Sequence, residues 1–187
     1  VFQLGAGQQE TVGPFEINVN DEAIAGTIVP MEFVISNSDG FNQSQLVNIQ
    51  LGNVSQHDPL GPDTYGYYIY DNSDTNYELA PVYDWIELDD GLGTTINLDD
   101  DGNANGTNLT DVINLPFSFK FYGINYDQIT VAADGYLSFG NHEVASHRNY
   151  PIPGPGGPSP MIAAFWDDLK TGSSGYVYKY ISDEYVI

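Results

Sequence analysis

Cysteine is absent from the 187 residues, and with it go thiol catalysis, thiolate zinc sites and disulfides. Basic residues are nearly absent too. Lys120, Arg148, Lys170 and Lys179 stand against 26 Asp and Glu, a formal net charge of −22. A nucleic-acid binder draws its affinity from Lys and Arg facing phosphate, so that class is excluded, and an anionic membrane surface is disfavoured by the same charge. No apolar run reaches the roughly 18 to 20 residues that span a bilayer, and no basic segment followed by an apolar one opens the chain. Membrane insertion is therefore not expected. What is abundant is aromatic: 9 Phe, 14 Tyr and 2 Trp within an apolar fraction of 41%, too much for a disordered acidic tail and enough for a packed core. Little Lys beside much Asn, Asp, Thr, Tyr and Gly leans towards an extracellular or cell-surface location.

The helical period is also missing. Apolar residues alternate in Phe15, Ile17, Val19, in Val29, Met31, Phe33, Ile35 and in Val47, Ile49, Leu51. The same period of two runs through Leu115, Phe117, Phe119, Phe121, then Ile129, Val131, then Val177. Period two means half-buried strands, so the expected fold class is all-β, a β-sandwich. Asp134-Gly135 between Ile129-Thr130-Val131 and Tyr136-Leu137-Ser138-Phe139 predicts a hairpin with a type I′ turn. The stretch Pro151 to Pro160, with five prolines and three glycines, reads as a surface loop.

Residues 57–64, with two prolines and a glycine, have the composition of a linker. On that division residues 1–56 supply about three strands, an apolar face with nothing to bury it. They read as the closing strands of an immunoglobulin-like sandwich whose other half comes from upstream sequence or from another chain. Residues 65–187 form a second, jelly-roll or sandwich-like module, expected to be incomplete where Tyr185 to Ile187 ends a strand.

Catalytic motifs fail on spacing. His142-Glu143 and His147 place the second His five residues on in a loop-like stretch, whereas helical zinc sites need four. Ser138 lies on a strand, one residue out of step with a nucleophile elbow. Carboxylate pairs at Asp89-Asp90 and Asp167-Asp168 point to opposite faces of an extended chain, so no residue is nominated as a catalyst.

Oxygen-rich turns suit calcium better. Asp101-Gly102-Asn103-Ala104-Asn105-Gly106 matches the first half of a calcium loop, in which alternate residues supply oxygens and glycine permits the bend. The candidate ligands are Asp101, Asn103, Asn105 and Asp111, although Val112 stands where a bidentate Glu would close the loop. An ordinary hairpin loop has the same composition. Tyr67, Tyr68 and Tyr70, with Trp85, are the candidate sugar-stacking residues, against the plainer reading of Tyr as a strand former. Asn42, Asn53, Asn105 and Asn108 head Asn-x-Ser/Thr sequons.

The run Asp58-Pro59-Leu60-Gly61-Pro62-Asp63-Thr64-Tyr65-Gly66-Tyr67-Tyr68-Ile69-Tyr70-Asp71, then Leu115-Pro116-Phe117-Ser118-Phe119-Lys120-Phe121-Tyr122-Gly123 and Met161-Ile162-Ala163-Ala164-Phe165-Trp166-Asp167-Asp168-Leu169, resembles the nidogen-like extracellular β module. Positions 57 to 187 carry this resemblance; residues 10 to 52 more weakly resemble the end of an immunoglobulin-like module. Such modules occur in large secreted proteins of Gram-negative bacteria, beside gingipain-type peptidase domains and type IX secretion sorting domains. The resemblance implies a non-catalytic structural or adhesive role, a building block of a surface protein or filament whose partners are neighbouring copies or domains joined by strand pairing. A carbohydrate-binding accessory module of a secreted protease or glycosidase is the alternative.

Overall fold

The computed structural model describes residues 5–172 and 175–187. These residues form strands and turns with no helix, in several antiparallel sheets. The all-β reading holds, and the layers are those of a β-sandwich. The chain divides into two compact units, Val1–Asp84 and Trp85–Ile187.

In the first unit β1 (Ile28–Ser36) pairs antiparallel with β2 (Asn42–Gln50). The register sets Val29 opposite Ile49 and Met31 opposite Val47, so the apolar faces read from the two strands coincide, as one shared face requires. The expected strand at Phe15, Ile17 and Val19 does not form. That segment lies irregularly over the same face: the Phe15 ring meets Phe33 edge-on at 5.6 Å, and Ile17 and Val19 line a pocket of about 220 Å³ with Val29, Met31, Ile49 and Leu51. Alternation survived there without a partner edge to hydrogen-bond.

The chain divides later than the proline-rich stretch, and residues 57–64 belong to the first unit. Their polar groups explain why. Leu60 and Ile69 exchange backbone hydrogen bonds, Asp58 accepts from the Tyr77 hydroxyl at 2.6 Å, and Asp63 Oδ1 accepts from the amides of Tyr65, Gly66 and Tyr67.

The second unit packs two sheets. One pairs β3 (Thr94–Ile96) with β8 (Val177–Lys179); the other has the order β4 (Thr110–Phe121), β5 (Ile124–Ala132), β6 (Tyr136–Phe139), β7 (Met161–Ile162). Ile96 and Leu98 on one side meet Ile113, Ile129, Ala133 and Phe139 on the other, with Val177, Leu115 and Phe121 packed around them. Phe139 is the hub of this core. Phe119, Phe121 and Tyr126 place their rings 5.3, 4.5 and 5.2 Å from it.

Odd residues of β4 face inward as the alternation requires, but Phe119 keeps 39% of its surface exposed instead of being buried. A register shift lies between Asn114 and Phe119, a bulge that bends the strand locally, and Phe121 beyond it packs on Phe139 again. Tyr180 to Ile187 folds back on itself through paired amides, so the last strand finds a partner in the preceding residues.

Two hairpins set the geometry of the four-stranded sheet. The tight one is at Tyr122-Gly123, both residues having positive φ (47° and 78°), the requirement of a type I′ turn. Asp134-Gly135 does sit at a hairpin tip, but Ala132 pairs with Tyr136, leaving the three-residue loop Ala133-Asp134-Gly135. Of these only Gly135 has positive φ, at 80°, which corrects the type I′ expectation: Asp134 keeps an ordinary backbone and Gly135 makes the turn. Gly135 is also sterically fixed, because a Cβ there would come within 2.0 Å of the Phe165 carbonyl oxygen.

Two substitutions test this account. Phe139→Ala is expected to destabilise the second unit by about 3 to 5 kcal/mol through the cavity it leaves. Gly135→Ala is expected to cost at least about 2 kcal/mol from left-handed backbone and overpacking together. Denaturant unfolding reads both; a cost below the ordinary Gly-to-Ala difference at position 135 would refute the close approach.

Candidate functional site

Three loops converge at one end of the second unit. The first runs from Asn97 to Leu109, between β3 and β4. The second is the β5–β6 tip with Asp134. The third runs from Ala163 to Thr171, after β7. Backbone hydrogen bonds lace them together: Thr171 and Gly172 N–H groups donate to the Asp100 carbonyl at 3.0 Å, Asp167 N–H to the Asp134 carbonyl and Phe165 N–H to the Gly135 carbonyl, both at 3.2 Å. Thr171 Oγ1 accepts from the Asp100 N–H at 3.0 Å.

Two carboxylates are carried inside by this lacing. Asp100 is 0% exposed and Asp134 1%. Asp100 Oδ1 accepts from the Gly102 amide at 2.6 Å, whereas Asp100 Oδ2 and Asp134 Oδ1 have no hydrogen-bond partner. At the exposed rim Asp168 accepts from the Asn103 amide. Burial pushes the Asp134 carboxyl up to about 6, and the neighbouring negative charges of Asp100 and Asp168 add to it against a smaller pull from His147. A buried acid crowded by like charge resists ionisation.

The expected calcium ligands are dispersed around this feature. Asp101, Asn103 and Asn105 share a tight turn closed by Asp101 N–H to the Asn105 carbonyl at 2.9 Å and Asn105 N–H to the Gly102 carbonyl at 3.2 Å. Asn103 and Ala104 adopt positive φ there. Asp111 instead lies on β4, its carboxylate 3.9 Å from Lys179 Nζ. Among the described residues no three His, Cys, Asp or Glu side chains are grouped to hold a metal ion. Sequence reasoning passed over Asp100 and Asp134; the available signal was an acid flanked by strong apolar runs, as in Val131-Ala132-Ala133-Asp134.

The aromatic candidates separate. Tyr65 and Tyr67 stack at 5.2 Å on the surface of the first unit. Tyr68 shares a hydrogen bond with Thr27 through its hydroxyl, and Tyr70 packs edge-on to Tyr77 at 6.2 Å. Trp85, 68% exposed, belongs to the second unit and donates its indole N–H to Glu87 at 3.2 Å. Of the sequon residues, Asn42, Asn53 and Asn105 are exposed, while the half-buried Asn108 spends its amide on the Asn97 carbonyl. Ser138 is wholly buried with its hydroxyl unpartnered, so it has no base beside it. The other face of the four-stranded sheet is covered by Trp166, whose indole N–H reaches the Ser146 carbonyl at 2.6 Å, and by Tyr136, whose hydroxyl reaches the Val144 carbonyl at 2.6 Å.

Fold and site together define an antiparallel two-layer β module whose loops gather acidic residues at one end. Residues 76–181, more than half of the chain, match the family described as NIDO related, and the chain belongs to this nidogen-related family. Searches of curated proteins and of solved structures each found no match. Among the described residues no helix is long and apolar enough to cross a membrane.

The buried carboxyl makes a pH prediction. Because Asp134 titrates higher in the folded than in the unfolded chain, its contribution is present below pH about 4 and is lost as pH rises through about 6, at most about 3 kcal/mol. In chelator-containing buffer, wild-type stability should therefore fall relative to Asp134→Asn across that window, by urea unfolding at fixed ionic strength. Parallel curves for the two proteins would contradict the assignment.

Proposed function

We propose that the chain is a non-catalytic extracellular module, a structural or adhesive building block of a cell-surface protein or filament that joins neighbouring copies or domains through β-strand contacts. The observation that carries this reading is the open sheet of the first unit. Among the described residues β1 pairs only with β2, and apolar residues on their shared face remain largely in water: Ile35 is 56% exposed, Phe15 64%. Unpaired edges beside an apolar face are templates for an added strand, and patches of this kind mark interaction sites. Membership of the nidogen-related family supports the extracellular placement, as does a composition poor in Lys and rich in Asn, Asp, Thr, Tyr and Gly. The setting beside peptidase and type IX sorting domains belongs to the same reading.

A non-catalytic role is supported by the lack of thiols and by the isolation of Ser138. The exposed Tyr65–Tyr67 stack favours one second reading, carbohydrate binding by an accessory module. Loss of glycan-array signal on Tyr67→Ala would select it.

Sedimentation tests the main reading. The chain is expected to self-associate, or to bind a neighbouring domain, as concentration rises, and Ile35→Lys with Val47→Lys to abolish association while leaving the second unit's melting unchanged. Wild-type protein that stays a 20.5 kDa monomer and ignores its neighbours, or turnover of peptide or glycan substrates by the pure chain, would defeat it.

A further inference from the structure

Burying a carboxylate without a partner is costly, and burying two close together is costlier, since each charge raises the energy of the other. Asp100 and Asp134 are buried at the meeting of the three loops, each with one oxygen that no protein group satisfies. Their surroundings offer no counter-charge in contact. The amine of Lys170 lies beside Gly102, yet among the described residues Lys170 makes no ion pair with Asp100, Asp134 or Asp168; the pair that forms is Lys179–Asp111. His147 acts on Asp134 only at a distance. Unsatisfied buried oxygens of this kind point to an ion or water.

We infer that the second unit binds a calcium ion between Asp100 and Asp134, with the remaining ligands drawn from loop carbonyls and water. The donor set is all oxygen, which selects hard cations. Six to eight oxygens at flexible distances suit calcium, whereas magnesium demands a near-ideal octahedron. Two buried carboxylates without a third close acid make the site weak, so dissociation should fall at about 10⁻⁴ to 10⁻³ M, the range of extracellular calcium modules. This site differs from the 101–111 loop expected from sequence. It uses Asp100 and the hairpin-tip Asp134, which that loop pattern omits, and it stands whether or not the first unit mediates assembly.

The test is calcium titration of the whole chain by calorimetry, with melting curves in chelator and in about 10 mM calcium. Wild type should gain at least about 5 °C on the second unit's transition. Asp100→Asn and Asp134→Asn, which keep side-chain shape, should each bind at least about tenfold more weakly, by loss of one of two anionic ligands. Asp89→Asn, an equal charge change on the surface, should bind as wild type. Amide chemical shifts of the wild type give a second reading that does not depend on the folding of the two core variants: Gly102, Asp134, Gly135 and Leu169 should move together and saturate. The inference is overturned by any of four results. These are equal gain from sodium chloride of matched ionic strength, equal binding of magnesium, wild-type affinity in both core variants with loss only in Asp101→Asn, or small unsaturable shifts spread over the acidic surface.

Discussion

A carboxylate removed from water must find donors or a cation, and this constraint organises one end of the second unit. Asp100 has its backbone carbonyl held by Thr171 and Gly172, its N–H held by Thr171 and one oxygen held by Gly102. Those bonds fix the β3–β4 loop against the segment after β7. Asp134 anchors that same segment through its own carbonyl. Loops that a strand-only view treats as connections are therefore part of the core, and a net charge of −22 makes their closure an electrostatic problem as well as a packing one.

Packing supplies what electrostatics withholds. Ile113, Ile129 and Phe139 lie against Ile96 and Leu98 from the opposite sheet, and aromatic rings converge on Phe139. Burial of one such side chain is worth roughly 1.5 to 3 kcal/mol. The four-stranded sheet is buried on its second face as well, beneath Trp166 and Tyr136. With both faces covered, β5 and β6 are rigid enough to hold Asp134 at their tip despite its unfavourable surroundings. Gly135 completes the arrangement, since any side chain there would strike Phe165.

Alternation made the sheets legible, because side-chain period reports burial directly. It gave the inward row of β4 up to the register shift after Asn114 and the matching faces of β1 and β2. It did not give pairing. Phe15, Ile17 and Val19 alternate as a strand does, yet cover the sheet face without joining an edge. Asp-Gly located a hairpin but not its loop length, and the tight turn fell to Tyr122-Gly123, where Tyr accepts a left-handed backbone that its type disfavours. Residues 57–64 show the limit of composition: prolines suggested a linker, whereas Asp58 and Asp63 tie the segment into its unit.

The candidate site was only half legible, for a physical reason. Motif reasoning finds acids that neighbour one another in sequence, and so pointed to Asp101, Asn103 and Asn105, whose turn is shaped by its own backbone bonds. Buried acids are brought together by topology. Asp100 and Asp134 are far apart in sequence and meet because β3 and the β5–β6 hairpin end at the same edge of the sandwich, where Asp168 also arrives. A strand end is the one place in a sandwich where a polar side chain can leave water while its backbone still has loop amides to bond. Function in a module of this family should then concentrate at the strand ends and at unpaired edges, the two places where its sheets leave polar or apolar groups unsatisfied.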